Sequence, residues 1–228
     1  MEVNKIYCGD NMEVMEGIED KSVDLVITDP PYSTPVITSF GRKRCKNLAD
    51  LSIQEFYFNA FKNRLEKILK PNGRIFIFCN DNFYPILFSV FYDWLNINLI
   101  IWDKGKIGMG NPIRKQHELI MYANRESYQY NRTEHITHYP SVMKYKSDKN
   151  KQHGAQKPFH LIKDLILGFS NKGDIVLDAF CGSGNVCLAS HQLSRKYIGI
   201  DLNSEYCEIA RRRINAIPEL LPFEGVLC

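Results

Sequence analysis

The sequence predicts an α/β fold in which helices cover a largely parallel β-sheet. Short apolar runs rich in valine, isoleucine and phenylalanine recur along the 228 residues, and amphipathic stretches separate several of them. Uninterrupted apolar runs of this length are typical of strands that are buried on both faces of a parallel sheet. With 44% hydrophobic and 24% charged residues, the chain has the composition of a single globular domain over residues 1–228.

Seven strands and three main helices are predicted. The strands cover residues 5–8, 23–28, 74–78, 97–102, 118–122, 174–178 and 196–200. The first helix is predicted to begin at a capping box formed by Ser52 and Glu55, because apolar residues then follow at helical spacing. Pro71 and Gly73 are predicted to end it. The other two helices are predicted over 158–167 and 204–214.

Two stretches fit neither periodicity and are predicted to be long loops. Residues 33–51 carry four basic side chains, and residues 124–154 combine six basic side chains with four tyrosines. Basic residues interleaved with aromatic ones are suited to phosphate contacts and base stacking. Solvated loops with incidental charge are the alternative that the sequence leaves open.

The composition argues against a secreted, membrane-spanning or zinc-binding protein. The first ten residues lack the apolar stretch of a signal peptide, and no run approaches the roughly 20 apolar residues that span a bilayer. The seven cysteines include no Cys-x-x-Cys pair, so neither a disulfide framework nor a zinc site is indicated. The net charge of +3 does not by itself indicate a polyanionic partner. We therefore expect a soluble cytoplasmic protein without a bound metal.

A glycine-containing segment, "DIVLDAFCGSGNVCLAS", predicts a cofactor site. A predicted strand ends at Asp178, the run Gly182-Ser183-Gly184 follows, and a helix is predicted next. Glycines let a ligand approach the backbone, and helix amino-terminal amides favour negative groups. Asp201 ends the following strand about 20 residues on, the spacing at which an acid accepts hydrogen bonds from ribose hydroxyls. Only two glycines of the three in the dinucleotide fingerprint are present, so a nicotinamide cofactor fits less well, and a tight turn without a ligand stays open.

The segment "VITDPPYSTP" places Asp29, Pro30, Pro31 and Tyr32 directly after an apolar strand. Ligands of open α/β sheets bind at the carboxyl ends of strands. The prolines stiffen the backbone, so Asp29 and the Pro30 carbonyl can act as a rigid pair of acceptors for an exocyclic amino group, while Tyr32 offers a stacking face. A plain proline turn is the alternative. The tetrapeptide favours a site that activates the amino group of a nucleobase.

These motifs together resemble the amino-methylating DNA methyltransferases, in the permuted class whose catalytic segment precedes the cofactor segment. Residues 102–123, "WDKGKIGMGNPIRKQHELIMYA", are similar to the family's strand-loop-strand, and "HGAQKP" at 153–158 resembles its His-Pro-Thr-Gln-Lys-Pro segment. Gly154 and Ala155 replace the proline and the threonine of that segment. "CGDNMEVM" and "YIGIDLNSEYCEIARRRI" resemble two further family segments.

The resemblance implies a Rossmann-like fold with a mostly parallel seven-stranded sheet, one antiparallel strand, circularly permuted order and S-adenosylmethionine as cofactor. It implies that Asp29, Pro30, Pro31 and Tyr32 hold a target base flipped out of double-stranded DNA. It also implies cofactor contacts for a second set of residues: Asp178, Phe180, Gly182, Ser183 and Gly184 around the methionine part, Asp201 at the ribose, Asp10 at the adenine and Lys157 near the carboxylate.

The resemblance favours adenine N6 as the methylated atom. Methylation of cytosine C5 requires a Pro-Cys nucleophile in the related enzymes, and no proline precedes a cysteine here. Asp is commoner than Ser at the first tetrapeptide position of the adenine enzymes. Cytosine N4, RNA, a protein glutamine and a non-catalytic binding module stay open as alternatives. Target recognition is expected of 124–152, as an insertion, with a DNA-facing loop at 33–51. A homodimer and a restriction partner stay open.

Overall fold

The computed structural model describes residues 1–31, 48–108, 113–126, 138–146 and 156–216, with the backbone alone at 48–51. These residues form an α/β fold. The elements in chain order are β1 Lys5–Cys8, α1 Asn11–Met15, β2 Val23–Thr28, α2 Leu48–Ile68, β3 Leu69–Cys79, α3 Tyr84–Phe91, β4 Asn96–Asp103, β5 His117–Asn124, β6 Val142–Lys144, α4 Phe159–Phe169, β7 Ile175–Asp178, α5 Asn185–Gln192, β8 Lys196–Asp201 and α6 Ser204–Asn215.

The described strands form one eight-stranded sheet in the order β1-β8-β7-β2-β3-β5-β4-β6. Only β5 runs antiparallel to its neighbours within this sheet, pairing with β3 on one side and β4 on the other. The single antiparallel strand confirms the prediction, but the expected count of seven strands is wrong. The eighth strand is β6, whose Val142 pairs with Ile101 of β4. Its three residues lie in the segment predicted to be a recognition loop, and Met143 is the only one of them that is buried.

The junction between α2 and β3 differs from its prediction. The helix begins at Leu48, so Ser52 and Glu55 lie inside it and form no capping box at its start. It ends at Ile68, and β3 begins at once and continues through Pro71 and Gly73 instead of stopping there. The pairing of β2 with β3 shifts register around Pro71 and Gly73: Val23 pairs with Leu69, whereas Leu25 pairs with Arg74. Proline is tolerated at such an irregularity, where a ladder hydrogen bond is not required.

The core consists of a large apolar cluster on each face of the sheet and a smaller one at its edge. One face packs against α2 and α3, with Phe61, Leu65 and Leu87 among its fully buried side chains. The other packs against α4 and α5 through residues such as Leu161 and Ile166. The predicted helices at 158–167 and 204–214 are confirmed as α4 and α6. In the described part of the chain, no helix is long and apolar enough to cross a membrane.

Candidate active site

Four acidic residues lie along the edge of the sheet that is formed by the carboxyl ends of its parallel strands. Asp10, Asp201, Asp178 and Asp29 end or follow β1, β8, β7 and β2, and these four strands are neighbours in the sheet. The strands are mutually parallel, so their carboxyl ends meet at the same edge. The sequence assigned all four residues to the site, and the structure brings them to one edge, where an open α/β sheet binds its ligand.

Asp29 follows β2, a strand whose six residues are all buried in the middle of the sheet. Its carboxylate is paired with Lys157, whose Nζ lies 2.9 Å from Asp29 Oδ2. Pro30 is buried and Pro31 is exposed, so the chain reaches the surface two residues after Asp29. Tyr32, the last residue of the tetrapeptide, lies outside the described residues. The structure therefore places a charged acceptor at the centre of the edge.

Lys157 occupies a different environment from the one its predicted role suggests. The family resemblance implies a position near the carboxylate of the cofactor, which stays a prediction, and in the structure its ammonium group lies 2.8 Å from Glu118 Oε2 and 2.9 Å from Asp29 Oδ2. Only 7% of Lys157 is exposed. Sequence reasoning missed Glu118, which is the second residue of β5. Because β5 is antiparallel, its first residues lie at the same edge as the carboxyl ends of β2 and β3.

Asp178 is a buried carboxyl group with an unusual proton affinity. Its Oδ1 accepts hydrogen bonds from Thr28 Oγ1 at 2.8 Å and from the Phe180 amide at 3.1 Å. Burial above all, together with the charges of Asp29 and Asp201, raises the pKa of Asp178 to about 7 despite these hydrogen bonds. A cationic ligand group at this position would favour the charged carboxylate. The ammonium of an amino acid moiety has that character.

The loop that follows β7 is tied to the loop that follows β8. The Gly182 amide donates to Asp201 Oδ2 at 2.8 Å, and the other oxygen of Asp201 accepts from the Asn203 amide at 2.8 Å. The carboxylate therefore already has protein partners on both oxygens, each of which can still accept a ribose hydroxyl. Asp10 caps α1 by accepting hydrogen bonds from the Met12 and Glu13 amides. The cap fixes the direction of Asp10 at the neighbouring strand end.

The two glycines of this loop are required for different reasons. Both have positive φ, +48° at Gly182 and +82° at Gly184. A Cβ built on Gly182 would meet nothing within 4 Å, whereas one on Gly184 would lie 2.7 Å from the Cβ of Ala210 in α6. Gly182 therefore borders open space that can admit a ligand. Gly184 allows α6 to pack closely against the loop.

We expect Gly184→Ala to destabilise the protein by about 2–4 kcal/mol, since it combines a positive φ with overlap against Ala210. Gly182→Ala is the matched control: it also introduces a side chain at a positive φ but without the overlap, and should cost only about 1 kcal/mol. Urea unfolding of both variants measures the difference. Equal losses would contradict the packing role of Gly184. Ligand binding beside this loop should be weakened by Gly182→Ala, because the new methyl group enters the open space.

A polar network behind the loop also escaped sequence reasoning. Arg213 of α6 donates hydrogen bonds to the Ser183 carbonyl and hydroxyl and to Asn185 Oδ1. Asn185 Nδ2 in turn donates to the Lys157 carbonyl at 2.9 Å. Ser183 is thus held from behind by α6. Phe180 is half-buried and its ring centroid lies 6.0 Å from that of Phe61 in α2. The network links the loop after β7 to the backbone of Lys157.

Two of the tyrosines expected to stack on bases are used by the fold instead. The Tyr139 hydroxyl donates to the Asp164 carbonyl at 2.9 Å, and the Tyr145 hydroxyl donates to the Asp164 side chain. Tyr139 also packs edge to face against Phe169, with centroids 4.8 Å apart. Both tyrosines therefore anchor the segment 138–146 on α4. Most of the loops predicted at 33–51 and 124–152 lies outside the described residues.

The fold and the site define a class of protein: an α/β enzyme that binds a nucleoside cofactor at the carboxyl edge of its sheet. Residues 23–212 match the family N6_N4_Mtase, described as DNA methylase, and the chain belongs to this family. S-adenosylmethionine is its cofactor. The open space beside Gly182 and the acids at the ends of β7 and β8 fit this molecule, which carries a ribose, an ammonium group and a sulfonium.

Relatives and solved structures agree with this assignment. Type II methyltransferase M.HhaII of Haemophilus parahaemolyticus is 30% identical over 212 residues, covering 88% of this chain and 91% of that protein. PvuII DNA methyltransferase (cytosine-N4-specific) has a similar structure, with a TM-score of 0.77 at 19% identity over 95% of this chain and 87% of that one. An M1.HpyAVI–SAM complex gives a TM-score of 0.68 at 25% identity over 92% and 99%. The predicted Rossmann-like fold and the family resemblance are confirmed.

Proposed function

We propose that this DNA methyltransferase methylates adenine N6 in double-stranded DNA, within a restriction-modification pair. The observation that carries the proposal is the position of Asp29, a charged acceptor at the central strand end, adjacent to the acid and glycine loop of β7. An aspartate at this position of the tetrapeptide is commoner in the adenine enzymes. The names of relatives such as M.HhaII, a type II methyltransferase, support the modification role.

The chain's residues have separate tasks in this reaction. Asp29 and the Pro30 carbonyl accept the two hydrogens of the flipped-out amino group, which localises the nitrogen lone pair. S-adenosylmethionine supplies an electrophilic methyl group on a sulfonium. The nitrogen forms its bond to the methyl carbon as the carbon–sulfur bond breaks with its electrons moving to sulfur, and the nitrogen then releases a proton to solvent water. Asp29 stabilises the positive charge that develops on the nitrogen. Tyr32 is proposed to stack on the base.

Cofactor contacts are proposed for the remaining residues at the edge. Asp178 would hold the ammonium group, Asp201 the ribose hydroxyls and Asp10 the adenine, with the backbone at 180–184 around the methionine part. Because both carboxylate oxygens of Asp201 face backbone amides, its orientation is set before the ligand arrives. Preorganised groups of this kind lose little freedom on binding.

Sequence recognition is proposed for the segments that extend beyond this edge, 124–152 and 33–51. Within the first of them, Tyr139 and Tyr145 are bound to α4, so the proposal rests on the remaining basic and aromatic residues. Lys144 and Lys146 lie in the described part and are exposed, so their ammonium groups can reach a phosphate. A homodimer is a further proposal, which gel filtration with light scattering tests directly.

The deciding experiment is transfer of labelled methyl from S-adenosylmethionine to mixed-sequence double-stranded DNA, followed by nucleoside mass spectrometry. Label in N6-methyladenine is the expected result. Label in N4-methylcytosine would keep the mechanism and overturn the base, since cytosine N4 is also an amino group conjugated to a ring. Cofactor binding without label in DNA would contradict the proposal and favour RNA or a non-catalytic module.

A further inference from the structure

Charged side chains of alternating sign cross the centre of the site. Lys104 Nζ lies 2.6 Å from Glu118 Oε1, and Lys157 connects the other oxygen of Glu118 to Asp29. Aromatic rings border both lysines, since Lys104 lies over Trp102 and Lys157 over Phe78, each at 5.3 Å from the ring centroid. The four side chains are between 8% and 26% exposed, so solvent screens these charge interactions only in part.

Glu118 stays charged in this environment. Burial opposes its ionisation, but the charges and hydrogen bonds of Lys157 and Lys104 outweigh that effect and lower its pKa below the ordinary value. Lys157 is the more buried of the two lysines, with 8% of its side chain exposed against 23% for Lys104. Solvent therefore screens Lys104 more than Lys157, and Lys157 is the group that contacts both carboxylates.

The net charge of these four groups matters for methyl transfer. Lys104, Glu118, Lys157 and Asp29 together are neutral, whereas without Glu118 they would carry a net charge of +1. Glu118 also binds the Lys157 ammonium, so that this ammonium is shared between two carboxylates instead of neutralising Asp29 alone. A site without the excess positive charge favours the cationic sulfonium and the positive charge that develops on the target nitrogen.

We propose that Glu118 is a positioning residue for the methyl transfer assigned above: it shares Lys157 with Asp29 and so preserves the negative charge of the acceptor. This inference rests on the proposed function for its catalytic consequence. A backbone contact of Lys157 supports the proposal, because the Lys157 carbonyl accepts a hydrogen bond from Asn185, next to the glycine loop. Lys157 is thereby fixed between the cofactor loop and the target-base acceptor, and Glu118 determines how its charge is divided.

The test is Glu118→Gln, which keeps the shape of the side chain and removes its charge. Its distinguishing readout is the ratio of the affinities for S-adenosylmethionine and S-adenosylhomocysteine, measured by calorimetry without DNA. These ligands differ by one methyl group and by the positive charge on sulfur. We expect the preference for the cation to fall about tenfold, the effect of one charge at short range in a partly screened site. We also expect kcat to fall at least about tenfold with KM for DNA changed less than about threefold.

Asp93→Asn is the matched control. It removes a carboxylate from Lys62, another buried lysine, at the amino end of β4 and so at the opposite edge of the sheet. The ligand ratio and kcat should stay within about twofold of the wild type, since this carboxylate is far from the reacting groups. An unchanged ratio in Glu118→Gln, or an equal change in Asp93→Asn, would overturn the proposal. A purely structural ion pair would lower stability without moving the ratio.

A double variant, Glu118→Gln with Lys157→Gln, tests the charge sharing itself. It removes one charge of each sign, so the net charge of the four groups returns to its wild-type value and the ligand ratio should recover to within about threefold of the wild type. Lack of recovery would contradict the proposal, and the double variant gives this answer even if Glu118→Gln does not fold. A wild type that binds both ligands but methylates no DNA would refute the proposed function, while the ratio would still decide the role of Glu118.

Discussion

Asp29→Ala is expected to reduce kcat for methyl transfer by about 10³-fold while S-adenosylmethionine still binds. The variant removes the group that accepts a hydrogen bond from the target amine and stabilises its developing positive charge, and the loss of one such preorganised contact costs about 10²–10³ in rate. The glycine loop follows a different strand, β7, and its hydrogen bonds to Asp201 and Arg213 remain in the variant. Single-turnover transfer with saturating DNA measures the chemical step, and calorimetry measures cofactor binding.

Asp81→Ala is the matched control for Asp29→Ala. Asp81 also follows a strand at the same edge, here β3, and its carboxylate lies 2.7 Å from Lys115 Nζ. Its side chain is 46% exposed, compared with 26% for Asp29. We expect kcat within about twofold of the wild type, because exposed ion pairs contribute little. Near wild-type transfer by Asp29→Ala would contradict its assignment as the acceptor, whatever the control shows.

The acids of the site could be predicted because they depend on a local rule. Asp29, Asp178 and Asp201 each come at the end of an apolar run, and parallel strands bring their carboxyl ends to one edge. No long-range information is needed to collect them. Predicting Glu118 requires the orientation of its strand as well. It is the second residue of β5 and lies at the same edge as the acids only because β5 is antiparallel. An antiparallel strand at 118–122 was the one signal that could have placed it there.

Other features that the sequence did not predict also have specific structural causes. The strand β6 has three residues and one buried side chain, too short for an alternating pattern to be recognised. Tyr139 and Tyr145 have the composition of a nucleic-acid contact, and only the packing of α4 shows that their hydroxyls serve the fold. Arg213 lies in a basic run at the end of α6, where favourable interaction with the helix dipole explains a positive charge without predicting its contact with Ser183.

Asp178→Asn should have opposite effects on stability and on function. The buried carboxyl has its pKa raised to about 7 from an ordinary value of 3.8, so the fold disfavours its charged form. For a group with this direction of shift, the unfolded chain loses its proton at a lower pH than the folded protein does. The free energy of unfolding therefore falls as pH rises from about 4 to about 7. At pH 8 the loss of unfolding free energy reaches its full extent, which is at most about 4 kcal/mol when the pKa shift is converted to free energy.

Asparagine retains an oxygen that accepts from both Thr28 Oγ1 and the Phe180 amide, and it carries no charge. We therefore expect Asp178→Asn to be more stable than the wild type at pH 8 by about 1–4 kcal/mol, with the difference vanishing near pH 4. Urea unfolding of both proteins across this range isolates the contribution of Asp178, because the other titrating groups are common to them. The same variant should bind S-adenosylmethionine at least about tenfold more weakly, since the charge proposed to hold its ammonium group is gone. A variant that is less stable at pH 8, or that binds the cofactor as well as the wild type, would show that this carboxyl has a structural role. The expected pair of results would show that the carboxylate lowers the stability of the fold above pH 7 because it is needed for ligand binding.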